Sequence, residues 1–257
     1  MPTMPCVFIS HGSTRLMRES GAWSQAMAGW AAGLRPKAIL SISAHWRTPK
    51  PTFTGARIPG VLHDFIGASD AHYALTYPAR GNPELVLRAL ALLEDAGLSG
   101  DVDSHRPLDH GTWSPLRWMY PAADIPVVQM SLPQGTSPRA LAELGLALAP
   151  LREDGVLLLG SGGLVHNPQR LRPEAAQPEG WAHAFDQWMA RHLHAGNLPQ
   201  AVTYRSSAPF AELAVPTPEH LDPLFAIWGA ADGAPAEPLF EGWEQGNLSL
   251  RSVVWAA

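Results

Sequence analysis

The stretch that decides the fold is Ala38-Ile39-Leu40-Ser41-Ile42-Ser43-Ala44-His45-Trp46. An apolar run closes on small polar residues and then on an imidazole. Short apolar runs bounded by Gly and Ser read as strands buried on both faces, the habit of a largely parallel sheet. Three more stretches repeat the pattern. Met4 to Ser10 ends at His11-Gly12-Ser13, Ile125 to Leu132 reads IPVVQMSL, and Val156 to Leu159 precedes Gly160-Ser161-Gly162-Gly163. Helices fall between them. Asn82-Pro83-Glu84 supplies a cap, a first-turn proline and an acid at the positive helix end, and Gly97 supplies a stop. Ser137-Pro138 opens a second helix, with Leu141, Leu144, Leu148 and Leu151 at helical spacing, and Trp181, Phe185 and Trp188 mark a third. The alternation predicts an α/β fold: a central, largely parallel or mixed sheet flanked by helices. Pro199 to Pro218 and Gly229 to Pro238 are the most loop-like stretches, and neither asks for a boundary. Residues 1–257 therefore read as one domain.

Composition narrows the function. Hydrophobic residues make up 46% and charged residues 16%, enough for a sizeable core. The net charge of −5 comes without a basic run, which argues against nucleic acid and anionic membrane as partners. The single cysteine, Cys6, excludes an internal disulfide and a zinc thiolate cluster, and its place at a strand start predicts a buried thiol. No apolar run approaches the roughly 18 residues of a membrane span, and the N-terminus lacks a basic segment followed by an apolar one. A cytoplasmic protein with no membrane partner is the expectation. The oligomeric state leaves no signal.

Five of the eleven histidines stand in marked contexts. Imidazole is the commonest metal ligand and the natural proton shuttle near neutral pH, and open α/β sheets bind ligands at the carboxyl ends of their strands. His11 and His45 each follow a predicted strand, which puts both rings on one rim. His166 lies beyond the Gly160–Gly163 segment, read as a flexible turn that lets backbone approach a ligand. His220, in Thr217-Pro218-Glu219-His220, sits at a helix mouth whether the helix opens at Pro218 or at Asp222-Pro223. His110, in Leu108-Asp109-His110-Gly111, reads as a turn residue before a helix start at Ser114-Pro115. Taken singly each is an ordinary loop histidine; the joint pattern points to an enzyme with a metal. His63 and His72 flank an aromatic-rich loop, His105 sits in a polar loop, and His183, His192 and His194 share a helix at spacings unsuited to a metal pair. Trp46 and Trp113 are candidate pocket walls. No dinucleotide fingerprint, phosphate-binding loop or Gly-x-Ser-x-Gly elbow is present.

Longer motifs carry a resemblance: FISHGS (8–13), ILSISAHW (39–46), LHDF (62–65), YPARGNPEL (77–85), LDHGTWSPLRWMYPAADIPVVQMSL (108–132), GSGGLVHN (160–167), TPEHLDPLF (217–225) and SLRS (249–252). In this order the chain resembles the LigB-type, class III extradiol ring-cleavage dioxygenases, in their DOPA-4,5-dioxygenase-like branch. The resemblance implies an α/β fold, a non-haem Fe(II) centre, and O2-dependent opening of a catechol ring beside its hydroxyls to a semialdehyde. A small aromatic diol and O2 would be the partners. By position, His11 and His45 match the strand-end metal ligands and His220 the third ligand. His166 matches the acid/base histidine, which can lie close enough to act as a fourth ligand, and His110 one that contacts substrate or supports the site. The related protocatechuate-cleaving enzymes use two histidines and a carboxylate; here the third position is His220, with Glu219 before it. Three neutral imidazoles also suit Zn(II), so iron is the expected metal and zinc an alternative occupant. A zinc enzyme of non-redox, hydrolase-like chemistry and a non-catalytic binding protein on the same fold are the rival readings. Arg15, Arg47, Arg80 and Arg251 lie near these motifs and could meet a substrate carboxylate.

Overall fold

The four apolar runs become the centre of one sheet. In the computed structural model, which describes residues 3–175 and 177–256, they are β1 (Cys6–Ser10), β2 (Ala38–Thr48), β5 (Val127–Pro133) and β6 (Val156–Gly162). Between β2 and β5 come the short strands β3 (Thr52–Thr54) and β4 (Asp101–Asp103). After β6 come β7 (Glu237–Phe240), a two-stranded pair β8 (Trp243–Glu244) and β9 (Leu248–Ser249), and β10 (Ser252–Trp255). The large sheet has the order β4-β3-β5-β2-β6-β1-β10-β7. Its central strands β5-β2-β6-β1 are parallel throughout. β3 pairs with β5, and β10 with β1 and β7, in antiparallel fashion. The sheet is thus mixed at its flanks and parallel where the apolar runs lie.

Alternation along each strand sorts side chains between two cores. Val7, Ile9, Ile39, Leu157 and Leu159 face one side, against α1 (Ala22–Ala31) and α4 (His110–Met119). Cys6, Phe8, Leu40, Ile42 and Leu158 face the other, against α3 (Pro83–Asp95), α5 (Pro138–Leu148), α6 (Gly180–Ala195) and α10 (Asp222–Ala230). One-turn helices α2 (Asp70–Tyr73), α7 (Leu198–Ala201), α8 (Tyr204–Ser207) and α9 (Ala211–Ala214) occupy the connections. The expected caps form: Asn82 Oδ1 accepts from Leu85 N at 3.0 Å and Ser137 Oγ from Ala140 N at 3.2 Å. Cys6 is fully buried, and burial pushes its thiol up to about 12. No helix among the described residues is long and apolar enough to cross a membrane.

Two local expectations give way, and a third point left open is decided. The segment read as a flexible Gly160–Gly163 turn continues strand β6 through Gly162, with Ser161 opposite Ile9 and Gly162 opposite Ser10 on β1. These glycines serve a close approach instead: a Cβ at Gly160 would come within 2.6 Å of Ile227, and one at Gly162 would collide with the His220 carbonyl. Helix α4 opens at His110 rather than at Ser114, because Asp109 caps it with Oδ1 accepting from Thr112 N at 3.1 Å. Helix α10 opens at Asp222. Thr217 donates its hydroxyl to Glu219 Oε1 at 2.7 Å instead of capping, and Leu221 N and Asp222 N both bond Pro218 O.

Candidate metal centre

All five marked histidines reach one rim of the sheet. His11 follows β1 directly, its N–H donating to Gly162 O at 3.1 Å. His45 lies within a break of register: Ile42 pairs with Met130, yet Arg47 pairs with Leu132, so four residues of β2 stand against one of β5. Such a bulge re-aims side chains. His110 is the first residue of α4. His166 is fixed by its N–H on Ala214 O at 3.0 Å, and His220 by its carbonyl, which accepts from Gly163 N at 2.8 Å. The glycine at 162 admits the His220 backbone.

The rings of His11, His45 and His220 form a near-equilateral triangle, with centroids 5.1, 5.1 and 5.5 Å apart. His11 Nε2 and His45 Nε2 face each other at 3.3 Å. Imidazole nitrogens about 2.1 Å from a shared ion at tetrahedral angles stand roughly 3.4 Å apart, with ring centroids about 5 Å apart. The His11–His45 pair therefore fits a shared ion, and the ring spacing of His220 matches that of a third ligand. His110 is 5.5 Å from His11 but only 4.0 Å from His45, which is tight for two rings on one ion. His166 stacks on His220 at 3.6 Å and 11°. The ligand atoms of His11, His45 and His110 lie within 4.8 Å of one another, as do those of His166, Glu219 and His220.

Burial, then the neighbouring imidazoles, hold His11 and His45 well below the ordinary histidine value. His166 is lowered to about 3 by burial and by His220. All three are neutral at pH 7, the state a metal ligand or a proton acceptor needs. His220 Nδ1 is buried without a hydrogen-bond partner, 3.5 Å from Glu219 Oε1.

Asp64 is a residue the single-residue reading missed. Its Oδ1 accepts from His110 N at 3.0 Å and contacts His110 Nδ1 at 2.8 Å, while Oδ2 faces His45 Nδ1 at 3.4 Å. Burial raises its pKa, but the hydrogen bonds and charge of His110 outweigh that and hold it at about 2. An ionised carboxylate thus orients two imidazoles through their remote nitrogens, the usual support for a metal-binding histidine. The one available signal was the His-Asp pair inside LHDF. The fold alone brings Asp64 to residues 19 and 46 positions away.

The other candidates separate. His63 Nε2 donates to Leu75 O at 2.9 Å, and His72 pairs with Ser69; neither joins the cluster. Trp113 is fully enclosed, so it is no pocket wall; its Nε1 donates to Leu62 O at 2.9 Å and so ties down the segment bearing Asp64. Trp46 is buried with the Arg106 guanidinium 5.2 Å over its ring. Phe65, not singled out beforehand, stands edge-on to His110 at 5.6 Å. Arg15 is committed to Glu244 and Glu19, and Arg251 to Asp186 and Glu241. Arg80 is exposed. Arg47 pairs with Glu219 at 3.9 Å, and its Nε is buried without a partner among the described residues.

Known proteins resemble the chain over most of its length. Residues 5–252 match the family described as the catalytic LigB subunit of aromatic ring-opening dioxygenase. A Beta vulgaris protein named 4,5-DOPA dioxygenase extradiol is 39% identical, over 95% of this chain and 94% of that one. An Escherichia coli K12 protein of the same name is 36% identical, over 97% and 94%. The crystal structure of an uncharacterized protein from Escherichia coli K12 superposes with a TM-score of 0.82 at 31% identity, over 98% of this chain and 99% of the other. The rival readings, a non-redox zinc enzyme and a non-catalytic binding protein, are not favoured by these relatives. The chain belongs to the LigB family of metal-dependent aromatic ring-opening dioxygenases.

Proposed function

We propose that this ring-opening dioxygenase cleaves a DOPA-like catechol beside its hydroxyl pair, with Fe(II) held by His11, His45 and His220. The observation that carries the reading is the triangle of three imidazoles, two of them with Nε2 atoms 3.3 Å apart. The names of the relatives support the DOPA-like substrate. Iron rather than zinc follows from the chemistry, because zinc has no redox change to offer O2. When bound, the ion supplies Lewis acidity toward the catechol hydroxyls and a common centre for ring and O2.

The chain's own residues divide the remaining work. His166 is neutral and stacked on His220. Its ring accepts a proton from a catechol hydroxyl and later returns one to an oxygen of the opened product. His110 faces an ionised Asp64, so its Nδ1 carries the proton and donates to Oδ1. Its Nε2 is then the atom left to hydrogen-bond the second substrate hydroxyl. Phe65 offers an apolar edge beside His110 for the substrate ring. Both oxygen atoms of O2 enter the product.

The test is anaerobic loading with Fe(II), followed by O2 uptake and absorbance with DOPA, protocatechuate and caffeate. One O2 consumed per catechol, with a yellow semialdehyde and the best kcat/KM on DOPA, is the expected result. No uptake by verified iron-loaded protein would overturn the proposal. Turnover of a zinc-loaded protein without O2 would replace it with non-redox chemistry.

A further inference from the structure

Helix α4 carries a proline at its sixth residue, Pro115. Proline has no N–H, so the carbonyl four residues earlier, Gly111 O, has no helical donor. A buried carbonyl left this way needs a partner from elsewhere. It finds one in β6: the Ser161 hydroxyl donates to Gly111 O. Gly111 itself must lack a side chain, since a Cβ there would run into Ser43 Oγ and stand 3.1 Å from the His45 ring.

Ser161 Oγ also lies 2.9 Å from His11 Nδ1. A hydroxyl has one hydrogen and two lone pairs. A carbonyl only accepts, so the hydroxyl hydrogen belongs to Gly111 O. The bond to His11 must then run the other way, with Nδ1–H donating to Ser161 Oγ. That leaves the lone pair of His11 on Nε2, the atom facing His45 Nε2 at 3.3 Å. Ser161 and Asp109 are both fully buried, and Asp109 caps the same helix, so the relay is shielded from bulk solvent.

We propose that Ser161 is a positioning residue that fixes the Nδ1–H tautomer of His11, and that Pro115 creates the free carbonyl which commits the serine to this role. The inference rests on the reading of His11 as a metal ligand. It goes beyond that reading in naming which nitrogen is offered and what decides it. His45 receives the equivalent support from the Asp64 carboxylate. One ring of the site is therefore set by a charge and its neighbour by a neutral hydroxyl relay.

The test uses full-length protein labelled with 15N-histidine, in which the tautomer of each ring is read from its nitrogen shifts in the metal-free state. The His11 resonance is assigned by its loss in His11→Ala. Wild-type His11 should show the Nδ1–H form. In Ser161→Ala the His11 signal should move to the Nε2–H form or to an average of the two, with His45 unchanged. Its affinity for Co(II), read by absorbance, should fall about 10- to 100-fold. Ser161→Thr, which keeps the hydroxyl, should hold the affinity closer to wild type than Ser161→Ala does. An unchanged His11 tautomer with affinity within twofold of wild type would overturn the proposal. So would loss of the His45 signature together with that of His11, since the alanine would then act by disturbing the cluster as a whole. Wild-type Co(II) affinity in His11→Ala would overturn the underlying reading of His11 as a ligand, whatever Ser161→Ala does.

Discussion

The two halves of the histidine cluster are held by different means. On one side His11, His45 and His110 have their Nδ1 atoms facing Ser161 or Asp64. They sit at a strand end, in a strand bulge and at a capped helix start. On the other side His166 and His220 are held by backbone bonds and by stacking on each other, and His220 Nδ1 has no hydrogen-bond partner. The first half is oriented before anything binds, because each ring has its proton placed by a polar neighbour. In the second half His166 is fixed through its backbone N–H, which leaves its ring for the proton transfer proposed above, while His220 has Glu219 Oε1 3.5 Å from its Nδ1. Orientation and proton traffic place opposite demands on an imidazole, and the proposed reaction divides them between the first half and His166.

The comparison can be broken most severely at His11. His11→Ala should abolish tight metal binding and with it turnover, read by metal analysis after dialysis and by O2 uptake. Retained stoichiometric metal would remove the oriented half from the ligand set. His166→Ala should cut kcat by about 10²- to 10⁴-fold, the range for a lost acid/base group, with metal content close to wild type. Loss of the metal as well would make His166 a ligand and merge the two halves. Asp64→Asn keeps shape and removes charge. It should weaken metal affinity about 10- to 100-fold, read by competition with a coloured chelator, and an unchanged affinity would show that Asp64 serves His110 alone.

The smallest expected effect is on stability in the metal-free protein. The unfolded chain takes up protons on its histidines near 6.5, whereas His166 in the folded chain stays neutral until about 3, and His11 and His45 also titrate well below 6.5. The unfolded state therefore binds more protons below 6.5, and stability is full above that value and falls as acid is added. Between pH 6.5 and 5 the loss is about 2 kcal/mol for His166, and His11 and His45 act in the same direction. Asp64 and Glu219, both held at about 2, change little in this window, whereas Asp222, pushed up to about 7 by burial, takes its proton first in the folded state and offsets part of the loss. Urea unfolding of chelator-treated protein at pH 7 and 5 measures the loss, which His166→Ala should reduce.

Much of this was legible in the chain. AILSIS and its three companions predict the central strands because buried parallel strands need apolar residues on both faces, and Asn82-Pro83 and Ser137-Pro138 predict helix starts because their chemistry is local. His11 and His45 could be placed on one rim from strand ends alone. The role of Gly160 and Gly162 was not legible: a glycine that frees a turn and one that admits a neighbouring backbone look alike until α10 is packed on β6. The start of α4 was misread at Ser114 because Pro115 resembles a helix start, when its missing N–H instead leaves Gly111 O for Ser161. Asp64 was hidden because its partners are remote in sequence. Lone charges reveal their purpose only through what surrounds them, as Arg15 and Arg251 show by pairing with carboxylates.

The central claim is that the metal bridges the two halves, taking His11 and His45 from one and His220 from the other. Metal content after Fe(II) or Zn(II) loading and dialysis, compared between His220→Ala and His110→Ala, tests it most directly. The account predicts that His220→Ala loses the ion while His110→Ala keeps close to one per chain. Retention by His220→Ala with loss from His110→Ala would contradict it, and would place the ion among His11, His45 and His110, within the oriented half alone.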